Sequence, residues 1–189
     1  MVTPYTEFRT LGNYNFLLAK AIDNRAGALV VMEVLKTLKN NPNQCVGAFI
    51  VQEEVGLRGA KTSTNKVKPQ IAIAVDVGVS DDVPGDKNVS KKVLGQGPQL
   101  SFFDQGLIAH KGLRDYIMEI AQENKIPFQE PLPSGGTTEA ASMHIQNEGA
   151  SICSHLYSDQ IYSFSRFYHP QRRHRKHNQT FSFIGAKIR

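Results

Sequence analysis

The sequence predicts an α/β domain in which helices pack in layers against a central, largely parallel sheet. Segments with apolar residues at helical spacing alternate along the chain with short, continuous apolar runs. This alternation is typical of parallel strands that are covered by helices on both faces of a sheet. With 189 residues, of which 40% are hydrophobic, the chain is long enough to bury one substantial core. We therefore expect one main domain.

The first half of the chain supplies two of the predicted strands. Residues 26–38 (AGALVVMEVLKTL) predict a helix, which ends where an Asn- and Pro-rich stretch begins. Residues 46–52 (VGAFIVQ) and 71–77 (IAIAVDV) are continuous apolar runs of strand length, and we expect both to be buried strands. Residues 56–63, between these runs, predict the beginning of a second helix.

The second half begins with a loop-rich stretch and continues with a clear helix. Residues 78–110 are rich in Gly, Pro, Ser and Asp and predict loops with at most one short strand. Residues 111–125 predict an amphipathic helix with four apolar residues on one face: Leu113, Tyr116, Ile117 and Ile120. Residues 126–130 predict a strand, and the following PSGGTTEAASMHI predicts a glycine turn that leads into a helix of small residues.

Composition excludes several classes of protein. The net charge of +5 arises largely from the run QRRHRKH at residues 171–177, and no recognition motif accompanies it. We therefore predict no nucleic-acid partner. The two cysteines, Cys45 and Cys153, are too few for a disulfide framework. The sequence has no apolar run of membrane-spanning length and no signal pattern at its start, so we expect no membrane association and a cytoplasmic protein.

Four carboxylates lie near the predicted strand ends and suggest a metal site. Glu53 and Glu54 follow the first apolar run, Asp76 lies in the second run, and Asp23 precedes the first helix. Loops at the carboxyl ends of parallel strands converge, and carboxylates there can share divalent cations that activate water. Neighbouring residues on a strand point to opposite sides. One of the two glutamates is therefore expected to bind metal while the other acts as a base.

Two other interpretations of these carboxylates remain open from the residues alone. A pair of glutamates is often solvated surface, and an aspartate beside a helix is often its cap. Two carboxylates could also serve a glycoside hydrolase, but that chemistry has no clear use for the whole set of acidic residues. The position of the acidic residues at apolar runs favours the metal site.

Five motifs follow one another in an order that resembles a known family. They are AKAIDNRAG, VQEEVGLRGAKTS, IAIAVDVGVSDDVPG, LGQGPQLSFFD and IPFQ…SGGT. The chain resembles the dinuclear-metal aminopeptidases of the glutamyl aminopeptidase and tetrahedral aminopeptidase family, whose members also carry the names endoglucanase M or cellulase. The resemblance covers residues 5–150. It implies a zinc-peptidase-like, layered helix–sheet–helix catalytic domain that releases N-terminal residues from peptides.

The resemblance also implies roles for the acidic residues. Asp23 corresponds to the aspartate that bridges two divalent metal ions, usually zinc or cobalt. Glu53 corresponds to the general base, and Glu54 and Asp76 correspond to one terminal ligand on each metal.

A glycine turn resembles the loop of the family beside the substrate. It comprises Gly135, Gly136 and Thr137. The family reads GGTDAG where this chain reads GGTTEAA. Thr138 therefore stands where aspartate is usual, and Glu139 follows it. We expect the local substrate contacts to differ accordingly.

The resemblance implies parts of the catalytic domain that these 189 residues do not supply. Family members carry an earlier segment with a metal-binding histidine, followed by a lid and oligomerisation domain, whereas the first histidine here is His110. We therefore expect an incomplete catalytic domain with weak or no activity. The implied partners are a peptide substrate and either further copies of the chain or a missing N-terminal half. The alternative is a non-catalytic remnant, or a fragment that needs a separately encoded half.

The sequence after residue 154 departs from the family. When its codons are read one nucleotide later, residues 155–164 can encode ICIPTRYIHS and residues 172–182 can encode DDIENTIKLL, and the family places both there. We predict a frameshift near residues 151–155, which divides the chain into a catalytic part at 1–154 and an aberrant basic tail at 155–189. If the printed frame is native, His169 in SRFYHP is the alternative metal ligand.

Overall fold

The computed structural model describes residues 5–11, 16–80, 82, 92–131, 136–159 and 169–170. Their helices and strands are β1 (Arg9–Leu11), β2 (Phe16–Leu18), α1 (Ile22–Thr37), α2 (Arg58–Val67), β3 (Ile71–Val79), β4 (Gln99–Ser101), α3 (Lys111–Glu123), α4 (Glu139–Met143), β5 (Ser151–Asp159) and β6 (His169–Pro170). The basic run at residues 171–177 and the rest of the predicted tail after Pro170 lie outside these residues.

The main sheet has three strands in the order β3-β5-β4. β3 and β5 pair in parallel from Ile71 opposite Ser151 to Val79 opposite Asp159, whereas β4 pairs with β5 in the antiparallel direction. The predicted parallel arrangement is therefore confirmed for one pair of strands and wrong for the other. A second sheet, in the order β1-β2-β6, is antiparallel throughout.

Helices cover both faces of β3, as the predicted layers require. Val30 of α1 is buried against Ile73, Val75 and Val77, which point to one face of the strand. Ala74 points to the other face and packs in a cluster that includes residues of α4. The layered α/β architecture is thus confirmed. No helix in the described part of the chain is long and apolar enough to cross a membrane.

The amphipathic helix α3 buries the face that its sequence predicts. Leu113, Ile117 and Ile120 lie in the core together with Leu100 and Cys153. Because this cluster is tightly packed, the removal of even one methylene group should lower the free energy of unfolding. The surrounding side chains do not collapse fully into the space that the removed group leaves.

A conservative truncation measures this packing. Ile117 is 2% exposed and Ile145 is 66% exposed. We expect Ile117→Val to lower the free energy of unfolding by about 1 kcal/mol, in the usual range for a buried isoleucine. Ile145→Val is the matched control and should leave it within about 0.5 kcal/mol of the unmodified chain. Urea unfolding followed by circular dichroism measures both, and equal effects would contradict the assigned core.

The prediction of a buried strand at residues 46–52 is wrong. Val46, Phe49 and Val51 are 55%, 60% and 69% exposed, and the segment has no strand partner among the described residues. Gly47 lies against Leu35 and Val31 of α1, and Gly59 of α2 lies against Ile50 and Val51, so the segment contacts helices and no strand among the described residues. A strand needs a neighbour to bind its backbone groups, and within the described ranges β3 pairs with β5 alone.

The strand predicted at residues 126–130 is reduced to a single bridge between Gln99 and Gln129. Pro127 is the second residue of this segment and has no N–H group to donate to a ladder. β5, by contrast, begins at Ser151, where the sequence predicted no strand. Its partner β3 stabilises it over nine residues, which is information that a local apolar pattern does not contain.

Candidate metal centre

Asp23 is held near β3 by the asparagine that follows it. The Nδ2 group of Asn24 donates to the Val75 carbonyl at 2.8 Å, and the Gly27 N–H donates to Asn24 Oδ1 at 2.9 Å. The peptide bond between Asp23 and Asn24 is cis. A Cβ atom on Gly27 would lie 2.8 Å from the Val75 carbonyl oxygen, so the absence of a side chain permits this close approach. The beginning of α1 is thereby tied to the strand residue that precedes Asp76.

Glu53 and Glu54 lie in a turn before α2 and not on a strand. The N–H groups of Gly56 and Leu57 donate to the Glu53 carbonyl at 3.0 and 2.9 Å, which closes the turn. Contrary to the sequence prediction, the two glutamates therefore do not alternate between the faces of a strand. The turn nevertheless separates the two side chains, because Glu53 is half-buried and Glu54 is exposed.

Three carboxylates from three separate segments meet at one point. Glu53, Asp76 on β3 and Glu139 at the beginning of α4 offer ligand oxygens that all lie within 4.8 Å of one another. The Val77 N–H donates to Asp76 Oδ1 at 2.8 Å and fixes that carboxylate. Glu139 was not among the site residues predicted from the sequence. Its signal was the departure from the family pattern in GGTTEAA, which places a glutamate directly after the glycine turn.

Burial and mutual repulsion change the protonation of this cluster. Burial is the main cause that raises the pKa of Glu53 to about 7, and the charges of Glu139, Glu54 and Asp23 add to it. The pKa of Asp76 is also raised to about 7, mainly by burial. The pKa values of Glu139 and Asp23 are raised as well, with burial again the largest cause.

The cluster has the properties of a site for a divalent cation. Among the described residues, none of these four carboxylates forms an ion pair with a lysine, an arginine or a histidine. Their oxygens are hard ligands of the kind that bind divalent metal ions, and a cation would relieve the repulsion between them. The residues therefore fit such an ion, with carboxylates alone as the ligands that this part of the chain supplies.

The remaining predicted residues lie around this cluster or outside the described structure. Glu54 is exposed, but its charge raises the pKa of Asp23 and of Glu53, so it lies beside both. Thr137 donates from its hydroxyl to Asp104 Oδ1 at 3.2 Å. Gly135 lies outside the described residues. The backbone of His169 pairs with Leu17 in the antiparallel sheet.

Comparison with known proteins identifies the family. The family model described as M42 glutamyl aminopeptidase matches residues 1–155 of this chain. The chain belongs to this family. A putative aminopeptidase of Acetivibrio thermocellus is 41% identical over 133 residues, which is 70% of this chain and 40% of that protein. The glutamyl aminopeptidase of Lactococcus lactis is 38% identical over 151 residues, which is 79% of this chain and 41% of that enzyme.

A solved structure of an aminopeptidase confirms the fold class. An aminopeptidase from the archaeon Desulfurococcus kamchatkensis superposes with a TM-score of 0.90 at 31% identity, over 96% of this chain and 52% of that structure. The chain thus spans about half the length of the solved structure and less than half the length of the two curated relatives. The family resemblance that the five motifs indicated is confirmed, and the M42 chain described here matches part of its relatives.

Proposed function

We propose that this M42 chain carries the carboxylate part of a metal-dependent aminopeptidase, which releases N-terminal residues from peptides. The observation that carries the proposal is the approach of Glu53, Asp76 and Glu139 within one family member. Asp23 is proposed to bridge two divalent ions, zinc or cobalt, with Glu54 and Asp76 as terminal ligands. Such ions, when bound, lower the pKa of water and polarise a carbonyl group.

Glu53 is the proposed general base. Its half-buried carboxyl has a pKa raised to about 7, which suits proton transfer near neutral pH. It takes a proton from the attacking water and gives that proton to the amine that leaves the cleaved peptide bond. Its neighbour Glu54 remains exposed and is free to serve the other role, that of a ligand. Gly135, Gly136 and Thr137 are the proposed loop beside the peptide substrate.

We further propose that the site is completed by a polypeptide with the remaining part of the family fold. Sites with oxygen ligands alone bind zinc less well than sites with imidazole, so the chain by itself should be weakly active or inactive. In the described structure, the backbone groups of residues 46–50 make no hydrogen bond, and Val46 and Phe49 are exposed beside them. Such an unpaired apolar segment is suited to accept a strand from another chain. The protein is proposed to act in the cytoplasm.

Complementation tests this function directly. The chain is expressed alone and together with the portion of the Lactococcus glutamyl aminopeptidase that it does not cover, and hydrolysis of aminoacyl p-nitroanilides is measured with Zn²⁺ or Co²⁺. We expect little hydrolysis by the chain alone, clear hydrolysis by the complex, and loss of activity with EDTA. A complex that forms and binds metal but hydrolyses no aminoacyl anilide would favour the non-catalytic alternative.

If the unpaired segment at residues 46–50 is the edge that accepts a strand, a charge placed in it should weaken complex formation. Val46 is 55% exposed in the unpaired segment, and Val67 is 41% exposed on α2. We expect Val46→Asp to weaken binding of the complementing polypeptide at least tenfold, because a charge must then be buried at the new strand contact. Val67→Asp is the matched control and should bind normally. Co-purification and fluorescence titration measure the effect, and equal binding by both variants would contradict this edge.

The boundary at residue 154 and the aberrant tail remain a proposal that rests on the sequence. The family match ends at residue 155, which supports the boundary. The nucleotide sequence across codons 151–160 tests the frameshift. If it contains a single inserted or missing base, correcting that base would restore the sequence that the family has there. An intact frame would instead favour His169 as the candidate histidine ligand.

A further inference from the structure

A turn between β4 and α3 is organised by the buried carboxylate of Asp104. The Gly106 N–H donates to Asp104 Oδ1 at 2.7 Å, and the Asp104 N–H donates to the Leu107 carbonyl at 2.9 Å. Asp104 is 8% exposed, and its second oxygen, Oδ2, has no hydrogen-bond partner in the part of the chain that the structure describes. An open acceptor on a buried carboxylate costs folding free energy, so stability alone does not explain the arrangement.

This turn is joined to the segment that leads into α4. The Thr137 hydroxyl donates to Asp104 Oδ1 at 3.2 Å. The Gln105 N–H donates to the Gly136 carbonyl at 3.1 Å. Two hydrogen bonds, one donated by the turn and one accepted by it, thus fix two consecutive residues of the glycine loop, which restricts both the position and the direction of the loop.

Close packing places the turn and α4 in direct contact. A Cβ atom on Gly106 would lie 2.7 Å from the Cβ of Ala141 and 2.8 Å from Thr137 Oγ1, so only a residue without a side chain permits this approach. Leu107 of the turn and Ala140 of α4 are buried in the same core cluster. The segment that leads into α4 and the beginning of α4 itself are therefore held to this turn by both hydrogen bonds and packing.

Glu139, which is the first residue of α4, follows two positions after Thr137. We propose that Asp104 is a positioning residue that acts through Thr137 to hold Glu139 in the metal site, and that Glu139 is a further carboxylate ligand there. The proposal rests on the proposed metal-dependent function. It assigns a role to two residues, Asp104 and Glu139, that lie 35 positions apart in the chain and do not bond to each other.

A double-mutant cycle on cobalt affinity tests the coupling. Co²⁺ is titrated into the unmodified chain, Thr137→Val, Glu139→Gln and the double variant. We expect Thr137→Val to bind Co²⁺ about tenfold more weakly, as is usual for the loss of an outer partner of a metal ligand. Glu139→Gln loses the proposed ligand itself and should bind Co²⁺ at least as weakly. The double variant should bind no more weakly than Glu139→Gln alone. Losses that multiply in the double variant would overturn the proposal, because they would show that Thr137 acts independently of Glu139.

A conservative variant and a matched control separate positioning from general destabilisation. Asn at position 104 keeps an oxygen acceptor for Thr137 and Gly106, so Asp104→Asn should retain most of the affinity that Asp104→Ala loses. Thr62→Val removes an exposed threonine hydroxyl that donates to a helix carbonyl, and should leave Co²⁺ affinity unchanged. Equal losses in Asp104→Asn and Asp104→Ala would overturn the role assigned to the oxygen acceptor.

Amide hydrogen exchange of the metal-free chain measures whether Asp104 holds the loop independently of whether the site binds metal. Thr137→Val should increase exchange at residues 136–141 at least several-fold and leave α3 protected. If neither the unmodified chain nor its complex with the complementing polypeptide binds Co²⁺, the proposed function fails, and the exchange result alone then decides whether Asp104 holds the loop. Unchanged exchange in Thr137→Val would overturn the positioning role whatever the metal affinity.

Discussion

Glu53→Gln should reduce kcat/KM of the complemented, metal-loaded protein by about 10²- to 10⁴-fold, which is the usual contribution of a general base. Glutamine keeps the shape of the side chain but cannot accept the proton of the attacking water. The substitution removes the carboxyl group whose pKa is raised to about 7. Hydrolysis of aminoacyl p-nitroanilides at saturating Zn²⁺ measures the loss.

Two controls make this result specific. Glu148→Gln carries the same substitution at an exposed position and should keep full activity. The Zn²⁺ affinity of Glu53→Gln should stay close to that of the unmodified protein, because the proposed ligands are other carboxylates. A variant that keeps more than a tenth of the activity would contradict the assignment of Glu53 as the base. Full loss of metal binding would instead place Glu53 among the ligands.

The metal-free chain should lose stability as the pH rises from 4 to 7, and Asp76 should be the main cause. Burial raises the pKa of Asp76 from an ordinary value of 3.8 to about 7. Below pH 4 the carboxyl is protonated in the folded and unfolded states and contributes no difference. Between pH 4 and pH 7 the carboxyl releases its proton in the unfolded chain but keeps it in the folded chain, so the free energy of unfolding decreases as the pH rises. Above pH 7 the folded chain carries the buried charge, and the whole loss of stability remains.

We expect this penalty to reach about 2 kcal/mol above pH 7, which is less than the full shift implies because the charges of the cluster share it. Asp76→Asn should flatten the profile, so that the variant is more stable than the unmodified chain at pH 8 and similar to it at pH 4. Thermal unfolding in EDTA at several pH values measures the effect. Glu119→Gln, on the exposed side of α3, should leave the profile unchanged.

Added metal should reverse this trend. Saturating Zn²⁺ neutralises the cluster and should raise the stability of the unmodified chain at pH 8 by about 2–3 kcal/mol at one hundred times the dissociation constant. Asp76→Asn should gain much less because it lacks one ligand. Parallel pH profiles for the variant and the unmodified chain, or equal gains from Zn²⁺, would contradict the placement of Asp76 in the cluster.

Local sequence patterns predicted the helices well. The periodicity of α1 and α3 is a property of neighbouring residues, and the buried face of α3 follows from the spacing of Leu113, Ile117 and Ile120. Strands were predicted less well. The apolar run at 46–52 is exposed, whereas β5 forms at 151–159, because a strand is stabilised by a partner that is distant in sequence.

The candidate site shows the same division. The sequence by itself determined the family, through five ordered motifs, and the acidic residue types that suit a divalent cation. Only the tertiary structure decided which carboxylates meet, because Glu53, Asp76 and Glu139 come from a turn, a strand and a helix end that share no local pattern. Their approach depends on the packing of α4 against β3 and of α2 against α4. Burial at that meeting point raises their pKa values, and burial is a property of the folded structure and not of the residue type.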